Sequence, residues 1–165
     1  MSRIRQSDMT LDGDRLARVL VAGIRHLFQR RDYINRINVF PVPDSDTGTN
    51  MAFTFKSILE TIERPDSWPL DKLLHAIGEA ALDGARGNSG AIMAQYLHGF
   101  REGAGDLVQL DAAALAVACT RGATQAWTAM SEPVEGTLPT VLEAHARALE
   151  AAAERQPQNL REAFA

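Results

Sequence analysis

One cysteine in 165 residues, Cys119, has no second thiol in the chain to pair with. An internal disulfide framework is therefore excluded, and a reducing compartment suits the sequence. No stretch approaches the roughly 20 consecutive apolar residues that span a bilayer. The polar residues 1–10 contain no apolar run to serve as a signal peptide. A cytoplasmic, soluble protein is the expectation. Positive charge is also in short supply: the net charge of −4 lacks the basic footprint that nucleic-acid binders need. Internal repeats, low-complexity runs and alternating strand patterns are missing too. What remains, 45% hydrophobic and 23% charged residues, fits one ordinary globular domain.

Apolar residues recur at helical spacing almost throughout, which predicts an all-α fold. Leu16, Val19, Leu20, Ile24, Leu27 and Phe28 mark one face of a first helix. Arg25, Arg30 and Arg31 near its end suit the helix dipole. Met51, Phe55, Ile58, Leu59 and Ile62 mark a second, stopped by Pro65. Leu70, Leu73, Leu74, Ile77 and Leu82 mark a third, closed by Gly84. Ile92, Met93, Tyr96, Leu97 and Phe100 mark a fourth. A fifth carries the small-residue stripe Ala114, Leu115, Ala118, Cys119, Gly122 and Ala126, which lets backbones approach and places it near the middle of the bundle. The last carries Leu138, Val141, Leu142, His145 and Leu149.

Short turns favour antiparallel neighbours. Residues 1–11 are expected as a flexible N-terminus and 12–165 as a single domain. The alanine-rich residues 146–165 read as a helix that frays or continues in a longer parent chain. His26, His75, His98 and His145 are scattered without metal-type pairing, Trp68 and Trp127 read as core or rim anchors, and Cys119 reads as a buried, inert thiol.

Three connections differ from ordinary turns: residues 38–50, 84–90 and 132–138. In the first, Pro41 and Pro43 stiffen the backbone leading into Asp44. Asp44 and Asp46 stand one residue apart, and two carboxylates held that close repel unless a cation joins them. Oxygen ligands select hard ions such as Mg²⁺ or Ca²⁺. The competing account makes both aspartates turn and capping residues. An EF-hand loop starting at Asp44 fails, because its sixth and twelfth positions are Thr49 and Phe55 instead of Gly and Glu. Gly48 then frees the backbone, and Thr49 or Asn50 is placed to cap the next helix.

In the second connection, Gly84-Ala85-Arg86-Gly87-Asn88-Ser89-Gly90 leads into a helix, whose start exposes backbone N–H groups to an anion. Neither a P-loop nor a G-x-G-x-x-G after a strand is present. The third has Thr137 at an N-cap position and Pro139 in the first helical turn, for which a well-built helix start is a sufficient explanation.

Together the three segments resemble the Dak-type nucleotide-binding domain, the L subunit of dihydroxyacetone kinase and the N-terminal domain of fatty acid kinase. The wording Asn38-Val39-Phe40-Pro41-Val42-Pro43-Asp44-x-Asp46-Thr47-Gly48-Thr49-Asn50-Met51 looks like the fatty acid kinase branch. The dihydroxyacetone kinase branch has histidine where Thr47 stands, and a third aspartate near the place of Asn38. The resemblance covers roughly residues 12–150.

It implies an antiparallel helical barrel of the L-subunit type, with ATP or ADP at one end and two Mg²⁺ bridging its phosphates. Asp44 and Asp46 would be the catalytic metal ligands, with the amide oxygen of Asn38 as a third. Thr47, Gly48, Thr49, Asn50, Met51, Gly87, Asn88, Ser89, Gly90, Gly136, Thr137 and Leu138 would contact the nucleotide. Phosphate would pass to a substrate presented by a partner protein; in fatty acid kinases that substrate is a fatty acid carboxylate on a lipid-binding protein. The alternatives are a dihydroxyacetone kinase-like subunit and a non-catalytic module that responds to nucleotide. A homodimer also stays open.

Two departures stand out. Ser45 replaces a glycine usual between the aspartates, at a cost of about 1 kcal/mol if φ is positive there. The chain also stops at Ala165, before a last helix and a late glycine-rich segment, so a fragment or a pared-down relative is expected.

Overall fold

Asp12 accepts the Arg15 backbone N–H at 2.9 Å and so starts helix α1 (Gly13–Ile37). Asp111 does the same for Ala114 at 2.9 Å and starts α5 (Ala112–Thr128). Each satisfies one of the orphan donors of a helix start, a contribution of about 1 kcal/mol. Between them lie α2 (Thr47–Ile62), α3 (Leu70–Gly84) and α4 (Gly87–Ala104), and α6 (Leu138–Arg155) follows. The computed structural model describes residues 10–63, 67–155 and 160. Of the flexible terminus expected at 1–11, residues 1–9 lie outside the described residues, as do the Pro65 stop and most of the tail beyond Arg155. Leu11, by contrast, is paired with Leu110 in a short ladder.

The all-α expectation holds, with six helices among the described residues. The addition is a two-residue antiparallel ladder, β1 (Leu11–Asp12) on β2 (Gln109–Leu110), too short to give a periodic signal.

Ile58, Leu70, Leu73, Leu74 and Ile77 are almost fully buried where α2 packs on α3. Each such side chain stabilises the fold by about 1.5–3 kcal/mol, and Leu73→Ala is expected to cost about 2–5 kcal/mol. Asp14 ties the start of α1 to the approach to α3, accepting the Trp68 N–H at 2.6 Å and the Ser67 hydroxyl at 3.0 Å.

The small-residue stripe does bring backbones close: a Cβ on Gly122 would meet the Tyr96 carbonyl at 2.8 Å. Yet α5 packs mainly on α4 and α6, whereas α4 packs on α2, α3, α5 and α6. The central helix is therefore α4, not α5, because α4 is the one with apolar residues on several sides. Two further expectations change. Val19, Leu82 and Val141 point outward. And α1 runs on to Ile37, so Arg25, Arg30 and Arg31 lie inside the helix and Arg36 alone occupies its last turn. Arg25 instead pairs with Glu63 at 2.5 Å and Arg31 with Asp32 at 2.9 Å.

A cavity of about 700 Å³ lies among α1, α3, α4 and α5, lined by Leu16, Leu20, Ile77, Leu97 and Phe100 among others. Cys119 faces it beside Tyr96, and burial pushes the thiol up, in keeping with an unreactive cysteine. No residue of the three unusual connections lines this cavity.

Candidate functional site

Asn38 directly follows α1, and its amide works in two directions. Its Oδ1 accepts the Asp46 and Thr47 backbone N–H groups, each at 3.2 Å, while its Nδ2 donates to the Val42 carbonyl at 3.1 Å. One turn earlier, Asn35 Oδ1 accepts the Thr49 N–H at 3.1 Å and its Nδ2 donates to the Thr49 hydroxyl at 2.9 Å. The orphan donors that open α2 are thus capped from the neighbouring helix instead of from within. This changes the expected cap: α2 begins at Thr47, and Thr49 and Asn50 lie inside its first turn.

Capping from outside frees Asp46. It occupies the N-cap position of α2 without making a side-chain cap bond. Neither the Asp44 nor the Asp46 carboxylate forms a hydrogen bond or ion pair with any described residue. Asp44 is exposed and Asp46 half-buried, and Ser45 between them adopts φ 56°, so the positive φ does fall on a serine. The Asn38 oxygen, by contrast, has both lone pairs directed at backbone N–H groups. Its role in this arrangement is to hold the turn. Gly48 is buried, and any side chain there would collide with the Arg31 carbonyl and the Asn35 amide. Close approach of α1 and α2, not backbone freedom, is what requires glycine.

The glycine-rich turn packs onto the same helix. Asn50, Thr54 and Ser57 form a stripe along α2, and against it sit Gly87, Gly90 and Gly84 respectively. A Cβ on Gly90 would meet the Thr54 hydroxyl oxygen at 2.6 Å, and one on Gly87 would overlap the Asn50 amide. Thr54 is fully buried and donates its hydroxyl to the Asn50 carbonyl at 3.0 Å. These contacts bring the starts of α2 and α4 side by side. At α4, Arg86 occupies the N-cap position without a side-chain cap bond, and the first helical bond runs from Gly90 N–H to the Arg86 carbonyl at 2.9 Å. The N–H groups of Gly87, Asn88 and Ser89 precede that bond and have no acceptor within the helix. They form a donor set of the kind that receives anions.

The third turn lies at the same end of the molecule. Helices α4 and α5 run antiparallel, with Tyr96 against Gly122 and Gly103 against Ala118, so the end of α5 returns to the start of α4. Within the turn, the Thr137 hydroxyl donates to the Val134 carbonyl at 2.6 Å, and the Thr140 hydroxyl accepts the Gly136 N–H at 2.9 Å. Gly136 has φ 79° and open space where a side chain would be. Local bonds account for this turn. Met51 and Leu138 pack against the core, which gives both a structural task.

Among the described residues, no group of three or more His, Cys, Asp or Glu side chains is placed to hold a metal. The fit to Mg²⁺ therefore rests on two unpaired carboxylates. That suits an ion which commonly takes one or two carboxylates and completes its shell with phosphate oxygens and water. Reading the sequence alone misses Asn35 and the Asn50–Thr54–Ser57 stripe.

A family model described as DAK2 domain matches residues 41–165. Protein YloV of Bacillus subtilis is 39% identical over 132 residues, covering 80% of this chain and 24% of that protein. An uncharacterised protein of Staphylococcus saprophyticus is 37% identical over 131 residues, covering 79% of this chain and 24% of its own length. One from Staphylococcus aureus is 36% identical over 138 residues, covering 84% and 25%. The chain thus spans about a quarter of the length of the curated relatives it matches.

Proposed function

The chain belongs to the DAK2 domain family, of the dihydroxyacetone kinase L-subunit type, and from that premise we propose that it is the Mg·ATP-binding domain of a kinase. The observation that supports this reading is the contact of Gly87 with Asn50, which brings the start of α2, reached through Asp44 and Asp46, next to the start of α4. Asp44 and Asp46 would hold Mg²⁺, one or two ions, and the start of α4 would receive phosphate oxygens through Gly87, Asn88 and Ser89. Bound Mg²⁺ would neutralise charge on the transferring phosphoryl group. The chain's own part is to position and to donate hydrogen bonds, which is most of what phosphoryl transfer asks of a protein.

The wording of the acidic turn, with Thr47 in place of histidine, supports the fatty acid kinase side of the family. The acceptor on that reading is a fatty acid carboxylate presented by a lipid-binding partner. The test is acyl phosphate formation by the intact polypeptide with ATP, Mg²⁺ and the loaded partner. Asp44→Asn or Asp46→Asn is expected to lower the rate by roughly 100-fold. Full activity in both variants would overturn the reading.

One observation favours a second reading, a nucleotide-responsive module without turnover: no third acidic side chain joins Asp44 and Asp46 among the described residues. On that reading ATP binds and shifts a partner equilibrium, and no phosphate is transferred or released.

A further inference from the structure

The three unusual connections, residues 38–50, 84–90 and 132–138, hold a single cationic side chain between them, that of Arg86. Its backbone is fixed on both sides. Ala85 packs against the core, and a Cβ on Gly90 would meet its carbonyl carbon at 3.2 Å. Gly87 is held against the Asn50 amide. Asn50 in turn donates its N–H to the Asp46 carbonyl at 2.8 Å. Asp46, Asn50, Gly87 and Arg86 therefore form one continuous run of contacts from the acidic turn to the start of α4. The Arg86 side chain is exposed, makes no cap bond at α4, and forms no hydrogen bond or ion pair with a described residue.

The proposed reaction makes a specific demand on that place. An acceptor carboxylate is already an anion, so no proton has to be removed from it. Its oxygen forms a bond to the γ-phosphorus as the bond from phosphorus to the β,γ-bridging oxygen breaks, and ADP leaves with that electron pair. One anion thus attacks another, close to the carboxylates of Asp44 and Asp46. The step needs positive charge more than a general base, and no histidine lies in the three connections. We propose that Arg86 is a catalytic residue whose guanidinium neutralises the transferring phosphoryl group as the acceptor carboxylate approaches. The inference rests on the proposed function and adds the residue that makes an anionic acceptor usable. A guanidinium is always charged and presents a fork of N–H donors to paired oxygens, which suits this task better than an ammonium. An arginine that meets the transferring group accelerates phosphoryl transfer by about 10³–10⁵-fold elsewhere. The start of α4 then divides its work between neighbours: the N–H groups of Gly87, Asn88 and Ser89 hold phosphate, and Arg86 meets the charge that develops.

The test uses the intact polypeptide and separates binding from turnover. Calorimetry gives the affinity for Mg·ADP, and for Mg·ADP with aluminium fluoride, which mimics the transferring phosphoryl group. Acyl phosphate formation from oleate on a fatty-acid-binding protein gives kcat. Arg86→Ala is expected to keep Mg·ADP affinity within about threefold, to lose at least about tenfold of the tightening by aluminium fluoride, and to lower kcat at least about 100-fold. Its unfolding midpoint is expected to match the wild type, because the side chain is exposed. Added guanidinium ion, far below denaturing concentration, is expected to restore part of the lost kcat, which a merely structural role would not allow. Arg30→Ala, which removes an exposed arginine of α1, is the control for general loss of charge and is expected to change neither quantity. Unchanged kcat and aluminium fluoride binding in Arg86→Ala would overturn the proposal. So would equal losses of affinity with and without aluminium fluoride, which assign Arg86 to ground-state binding. If the aluminium fluoride complex depends on Arg86 but no acyl phosphate forms, the role of Arg86 stands and the acceptor reading alone fails. A wild type that binds no Mg·ADP would overturn both.

Discussion

The Asn50 amide fills the space that a Cβ on Gly87 would need, and Gly87 itself sits at φ 56°. This one contact joins the helix that follows the carboxylates to the helix that offers N–H groups. Gly87→Ala is expected to destabilise the protein by roughly 1–3 kcal/mol, from the left-handed backbone and the overlap combined. Denaturant unfolding measures it. Gly23→Ala is the control: that position is helical, with open space around it. There alanine is expected to stabilise by about 0.5–1 kcal/mol.

Ser45 stands at φ 56°, where an L side chain is strained. Ser45→Gly relieves that strain but loosens the unfolded chain, so the expected gain is up to about 1 kcal/mol. A clearly lowered unfolding midpoint would contradict the positive φ.

Asn35 and Asn38 cap α2 from outside it. Asn35→Ala and Asn38→Ala are each expected to cost about 0.5–2 kcal/mol, the usual range for a lost cap. Asn38→Ala should cost more than a cap alone, because the Val42 tether goes with it. Thermal unfolding of both variants checks the order.

How much of this was legible in the sequence depends on distance along the chain. Helices α2, α3 and α4 show themselves in their periodicity, because core packing selects residues at that spacing. The three unusual turns show themselves in their composition. The cap of α2 does not, since Asn35 lies on another helix and no local pattern near Thr47 names it. Gly48 reads as backbone freedom and Gly90 as part of an anion-receiving turn, whereas the structure uses them for close approach to Arg31 and Thr54, a tertiary fact. Val39, Phe40 and Val42 carry no sign of exposure in a one-dimensional reading, because apolar residues are buried more often than not.

Asp14 supplies a pH dependence with a definite sign. The Trp68 N–H, and then the Ser67 hydroxyl, hold its carboxyl below the ordinary aspartate range. A depressed carboxylate contributes stability that is present above its unfolded pKa, at roughly pH 4. That contribution is lost as pH falls through the lower, folded value. Stability is therefore expected to fall between pH 4 and the acid limit, with a smaller slope in Asp14→Asn. Equal slopes in the two proteins would show that the latch between α1 and α3 does not titrate.

The paired carboxylates are tested most directly by titrating ADP into the protein with and without Mg²⁺. Wild-type protein is expected to bind only when Mg²⁺ is present. Asp46→Asn is expected to weaken that binding at least about tenfold, or about 1.4 kcal/mol. Binding of equal strength without Mg²⁺, or undiminished in Asp46→Asn, would contradict the assignment of Asp44 and Asp46 as the metal-holding pair.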